Sequence, residues 1–250
     1  INEFNKIIDG KNAVAQNAFY HLADSYIKLD QKQQALNAFK SASEIDFSLE
    51  IKEDAWFNYA KLSYQIGNSY QSAPEVLLSF MEAFPNNENN SELKDLLIDS
   101  YITSKNYQSA LDLLENNKSF KNKLAYQKVT FFRGLELYSE GNYQEGIKIF
   151  NKSLSEPRDA SFTARATFWK AECDYQLSNF EQSLIGYKQF VMLPNSNETP
   201  ETNNLDYNVA YNYFKLKNYL EAINSFNKYV SKNNVNVSQK KDAYLRLGDS

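Results

Sequence analysis

Apolar and polar positions along this chain alternate with the helical period. Segments with bulky residues spaced three, four and seven apart place those residues on one face of a helix. In the first such segment Phe19, Leu22, Ala23 and Tyr26 share a face, and Ala35, Phe39 and Ala42 share a face of the next. Leu29-Asp30-Gln31-Lys32 reads as the turn between them. The same helix–turn–helix pattern then recurs. An aromatic residue, two positions of any kind, a small residue and a bulky residue four further on appear as Tyr70, Ala73, Leu77; Tyr107, Ala110, Leu114; Tyr143, Gly146, Phe150; Phe180, Ser183, Tyr187; and Tyr219, Ala222, Phe226. Lys32, Ala35, Phe39 is the first copy, without the aromatic.

The small residues fall at 35, 73, 110, 146, 183 and 222, in steps of 38, 37, 36, 37 and 39. About twelve residues before most of them stands a second small residue: Ala23, Ala60, Gly134, Ala171 and Ala210, with Ile98 in its place in the third copy. Small residues let two helix backbones approach, and the neighbouring bulky side chain fills the gap beside them. Pro-containing, Asn-rich stretches such as Phe84-Pro85-Asn86-Asn87 and Leu193-Pro194-Asn195 mark where second helices end. The expected fold is all-α: a single right-handed α-solenoid of stacked helix–turn–helix units over 1–250, with repeats at about 16–48, 53–87, 91–118, 125–155, 162–194 and 203–233. Residues 1–9 read as the second helix of a preceding unit and 239–250 as the start of another, so the chain is expected to be a fragment of a larger array.

These residues resemble the tetratricopeptide repeat, a 34-residue helix–turn–helix unit. The first unit carries Phe19, Leu22, Ala23, Tyr26, Ala35, Phe39 and Ala42 at the family's relative spacing. The last full unit matches through Val209, Ala210, Tyr213, Ala222 and Phe226, and Trp56 stands where the family often has Trp. The resemblance implies a concave face built mainly from first helices, binding a peptide or a partner protein. Projected onto this chain, that groove holds Tyr20, Asp24 and Ile27; Phe57, Lys61 and Tyr64; Asp95, Asp99 and Ile102; Phe131, Leu135 and Tyr138; Phe168, Glu172 and Tyr175; and Tyr207, Tyr211 and Phe214. Aromatic anchors suit extended or helical peptides. The same stripe also fits helix–helix packing, and both readings stand at this point. One variant of the family clamps a chain-terminal carboxylate with Lys, Asn and Arg on successive first helices; the matching positions here hold Tyr20, Asp24, Phe57 and Lys61, so that clamp is absent.

Composition narrows the function. One His and one Cys leave too few ligands for a His/Cys metal cage and exclude a disulfide within the chain. His21 reads as a surface residue and Cys173 as a packing residue. Only 7 Gly and 5 Pro among 250 residues disfavour a βα fold and phosphate-cradling loops. A net charge of −4 lacks the basic footprint of a nucleic-acid binder, and no apolar run spans a bilayer. The expectation is a non-enzymatic scaffold without cofactor or metal. The Asn-, Lys- and Tyr-rich wording is similar to that of bacterial cell-envelope repeat proteins, which implies a periplasmic or envelope location; a cytoplasmic adaptor or regulatory domain of a larger protein is the alternative.

Overall fold

The computed structural model describes residues 12–117, 122–233 and 235–249. The segment expected as a leading second helix, 1–9, lies outside them, as do residues 118 and 250 at the edges of two predicted repeats. Among the described residues the structure is helical throughout. The thirteen α-helices are α1 (Ala13–Lys28), α2 (Lys32–Ser43), α3 (Leu49–Ile66), α4 (Ala73–Ala83), α5 (Asn90–Thr103), α6 (Tyr107–Asn116), α7 (Lys123–Ser139), α8 (Tyr143–Ser155), α9 (Ala160–Gln176), α10 (Phe180–Met192), α11 (Leu205–Lys215), α12 (Tyr219–Val230) and α13 (Val237–Asp249). They fall into two compact units, Ile1–Asn106 and Tyr107–Ser250. The division lies inside the third repeat, the copy that carries Ile98 in place of a small residue.

Within each unit every helix packs on its neighbours in the chain, α1 through α5 in the first and α6 through α13 in the second. First helices also touch across a repeat, α1 with α3, α3 with α5 and α7 with α9. The small residues work as spacers. Ala23, Ala35, Ala60, Ala110, Ala210 and Ala222 are fully buried. At Gly134 a Cβ would stand 2.5 Å from the ring of Phe150, so α7 and α8 meet there at a distance that only glycine permits. At Gly146 a Cβ would lie 3.3 Å from Cys173 Sγ, and that thiol is buried, with burial pushing its pKa up to about 12.

Five of the six hairpin turns share one device. A residue in the left-handed region ends the first helix, at Asp30, Lys105, Gly141, Ser178 and Lys217. The next residue's amide then reaches back to the carbonyl five positions earlier: Gln31 to Tyr26, Asn106 to Tyr101, Asn142 to Leu137, Asn179 to Asp174 and Asn218 to Tyr213, at 2.8–2.9 Å. This Schellman arrangement satisfies carbonyls that the helix end leaves open.

The second hairpin departs from the predicted register. Ala73 was expected to sit four residues into its helix, as Ala35 and Ala110 do, with Tyr70 leading. Instead α4 begins at Ala73, and Tyr70 is exposed. Glu75 Oε2 accepts from the amide of Ser72 at 2.9 Å and Pro74 occupies the first turn. Together they start the helix three residues late. Leu77 and Phe80 still reach the core.

Two buried glutamines fasten hairpins to the connections that follow them. Gln127 on α7 donates to Asp159 O (3.1 Å) and Thr163 Oγ1 (2.9 Å), and its Oε1 accepts from the amides of Arg158 (2.9 Å) and Asp159 (2.8 Å). Gln16 on α1 holds the connection before α3 through Ile45 O, Ser48 O and Ser48 N. Between α10 and α11 the connection is longer, 193–204, and contains two 3₁₀ turns, Ser196–Glu198 and Pro200–Asn203. Glu201 from this insertion is buried and accepts from Arg165 Nε and Trp169 Nε1 of α9, each at 2.9 Å.

Candidate partner-binding face

In the first unit, Tyr20, Asp24, Phe57, Lys61 and Tyr64 are all half-buried on α1 and α3. They do more than project. The Tyr20 hydroxyl donates to Asp54 Oδ2 of α3, and burial with this bond raises its pKa. Lys61 pairs with Glu92 Oε1 of α5 at 2.8 Å and lies 5.0 Å from the Phe57 ring centroid. Asp24 stands 4.0 Å from His21. Tyr64 edges an open hollow with Ser72, Pro74 and Thr103.

In the second unit the aromatic stripe divides. Phe131 and Phe168 are core residues, not groove residues. Phe131 has no exposed surface and packs among Phe132, Phe150 and Phe162, with the Arg165 guanidinium 4.7 Å from its centroid. Phe168 is enclosed by Trp169, Tyr187 and Phe190. Their position on α7 and α9 turns them toward the second helix of the same hairpin, where a ring without a polar atom is stable. The tyrosines stay half-buried, and the hydroxyls of Tyr138, Tyr207 and Tyr211 are bonded. Tyr138 contacts Trp169 at 4.9 Å, accepts from Gln176 Nε2 at 3.3 Å, and is pushed up to about 12 by burial. Tyr207 and Tyr211 both donate to Asp242 Oδ2 of α13, and Arg246 Nε donates to the Tyr211 oxygen at 3.3 Å. Phe214 is half-buried beside Tyr219 and Arg246.

Many of the predicted groove positions thus form the seam between successive first helices. The bonds recur at about one repeat length: Tyr20 to Asp54, Tyr138 with Gln176, Glu172 with Asn208, and Tyr207 to Asp242. The partners Asp54, Gln176, Asn208 and Asp242 were not singled out from the sequence. The legible signal was a polar residue facing a polar residue 34 to 38 positions on.

One place on this seam opens. The insertion at 193–204 precedes α11, and α9 and α11 pack on each other less extensively than α7 and α9 do. Between them lies a cavity of about 240 Å³, lined by Glu172, Tyr175, Gln176, Tyr187, Tyr207, Asn208 and Tyr211. Glu172 was expected to project into a groove; it is buried at the wall of this cavity instead. Tyr187 Oη and Asn208 Nδ2 both donate to its Oε1. Burial raises the Glu172 pKa, against which the two hydrogen bonds act. Burial also raises Tyr175 and Tyr207. Among the described residues no group of three or more His, Cys, Asp or Glu is placed to hold a metal ion, and no helix is long and apolar enough to cross a membrane.

The profile of the family described as tetratricopeptide repeat matches residues 16–48 and 207–233. These are the first and last complete hairpins. The chain carries tetratricopeptide repeats. The C-terminal part of a TPR repeat-containing protein from Cytophaga hutchinsonii is similar in fold, with a TM-score of 0.59 at 12% identity, covering 96% of this chain and 92% of that one. A tetratricopeptide repeat protein from Parabacteroides merdae is 16% identical with a TM-score of 0.45, covering 94% and 91%. MamA of AMB-1 is 20% identical, also at 0.45, covering 75% and 93%. No curated protein matches the chain. Tetratricopeptide repeats point to a scaffold for protein–protein contact.

Proposed function

We propose that the chain is a non-enzymatic scaffold that holds a peptide or partner protein on the first-helix face of α9 and α11. The observation that carries this is the cavity itself. It places the Tyr175, Tyr207 and Tyr211 rings beside the polar groups of Gln176, Asn208 and Glu172. Tyrosine offers a large apolar ring with a polar tip, the combination enriched where interfaces concentrate their energy. At about 240 Å³ the cavity is smaller than the roughly 300–1,000 Å³ usual for a small-molecule site, and suits a single anchoring side chain. The rest of the partner would then lie along the half-buried seam, past Tyr138 and Phe214.

The test uses peptides selected on the intact chain from a random display library. Tyr175→Ala and Tyr211→Ala are expected to weaken the selected peptides about tenfold or more, the loss typical of an interface anchor. Tyr64→Ala, in the first unit, serves as the comparison and is expected to bind as the native chain does. Retention of native affinity by both cavity variants would remove the assignment.

A further inference from the structure

Glu172 is a buried ionisable group for which packing gives no account. Its carboxyl lines the cavity, yet both of its donors, Tyr187 Oη and Asn208 Nδ2, converge on one oxygen, Oε1. Among the described residues nothing donates to Oε2, and no Lys or Arg is paired with the carboxylate. A carboxylate taken out of water without a cation is costly, and proteins normally pair such a group or leave it outside. Here the burial that raises its pKa is opposed only by the hydrogen bonds from Tyr187 and Asn208, with no paired cation among the described residues. Four of the other six residues lining the cavity are tyrosines, whose rings attract a cation.

Resting on the reading that this cavity receives a partner's side chain, we propose that the side chain is basic: a Lys or Arg of the partner protein, its cationic head on Oε2 of Glu172 and its aliphatic stem against Tyr175, Tyr207 and Tyr211. The cation supplies the charge that the carboxylate lacks. The stem replaces water on the rings, and the long, narrow shape of a basic side chain suits a space too small for a bulkier ligand. An acidic side chain is repelled, and an apolar one leaves the carboxyl buried against hydrocarbon. Asp242 and Arg246 bond the Tyr211 hydroxyl and are not among the residues that line the cavity.

The experiment sorts the display-selected peptides by sequence and then measures them on two variants. Glu172→Gln keeps an oxygen that accepts from Tyr187 and Asn208 but removes the charge, so the local structure is retained. Gln176→Glu adds a second carboxylate at the exposed rim. The expected result is one peptide position occupied by Lys or Arg, affinity reduced about tenfold or more on Glu172→Gln, and affinity increased severalfold on Gln176→Glu. Replacing that peptide residue by norleucine is expected to match the loss on Glu172→Gln. Selected peptides without a basic position, or with affinity indifferent to both charge changes, overturn the basic anchor while leaving the cavity as the binding site. Failure to select any peptide, or peptides indifferent to Tyr175→Ala and Tyr211→Ala, overturns the site and the anchor together.

Discussion

Replacing Phe131 by Ala is expected to cost about 3–5 kcal/mol of stability, as deletion of a fully buried ring does. The ring has no exposed surface, and its neighbours Phe150 and Phe162 lie 5.2–6.2 Å away between centroids. Phe150 also covers Gly134, so the gap left behind cannot close by bringing α7 nearer to α8, since those backbones are already at their limit. Because a repeat array is stabilised by nearest-neighbour contacts, the loss concentrates in the hairpins that Phe131 joins. Urea unfolding gives the total, and amide exchange is expected to show loss of protection in α7 to α9 while α1 to α3 stay protected. A loss below about 1 kcal/mol, the range of an exposed substitution, would return Phe131 to the surface.

Gln127→Leu is expected to be nearly as damaging, at about 3 kcal/mol, although leucine is similar in size and apolar. Four hydrogen bonds converge on the native amide. Leucine leaves the amides of Arg158 and Asp159 without their acceptor, and an unsatisfied buried group costs about 1–3 kcal/mol. The connection 156–159 then loses its attachment to α7. Limited trypsin digestion reports this directly, since Arg158 lies in that connection: cleavage after Arg158 is expected to accelerate well ahead of global unfolding. Stability within about 0.5 kcal/mol of the native chain, with unchanged digestion, would mean that the amide does not tie the hairpins together.

Much of the fold was legible in the spacing of small and bulky residues, because close helix approach leaves few residue types at the contact. Ala23, Ala35, Gly134, Ala171 and Ala222 all mark such contacts. The start of α4 was missed by three residues because a local capping signal, Ser72 to Glu75 with Pro74, outweighed the repeat pattern. The site was less legible. Helical spacing gives an angle around the axis, but Phe131 and Tyr138, two turns apart on one face, differ in burial through what packs on them. The hydroxyl was the better guide: the phenolic rings at 138, 175, 207 and 211 stayed at the seam, while Phe131 and Phe168 went inside. Phe57 and Phe214 are half-buried exceptions, each beside a cation. The cavity had no sequence signature, since it arises from the distance that the 193–204 insertion leaves between α9 and α11. Glu172 could be placed on its helix but not in the wall, because Tyr187 and Asn208 reach it from two other helices.

The most direct test of a partner seated between α9 and α11 is amide chemical-shift mapping of a selected peptide on the isotope-labelled intact chain. The largest shifts are expected at 172–176 and 207–211. Shifts confined to the outer faces of α10 and α12, with those two segments silent, would contradict it.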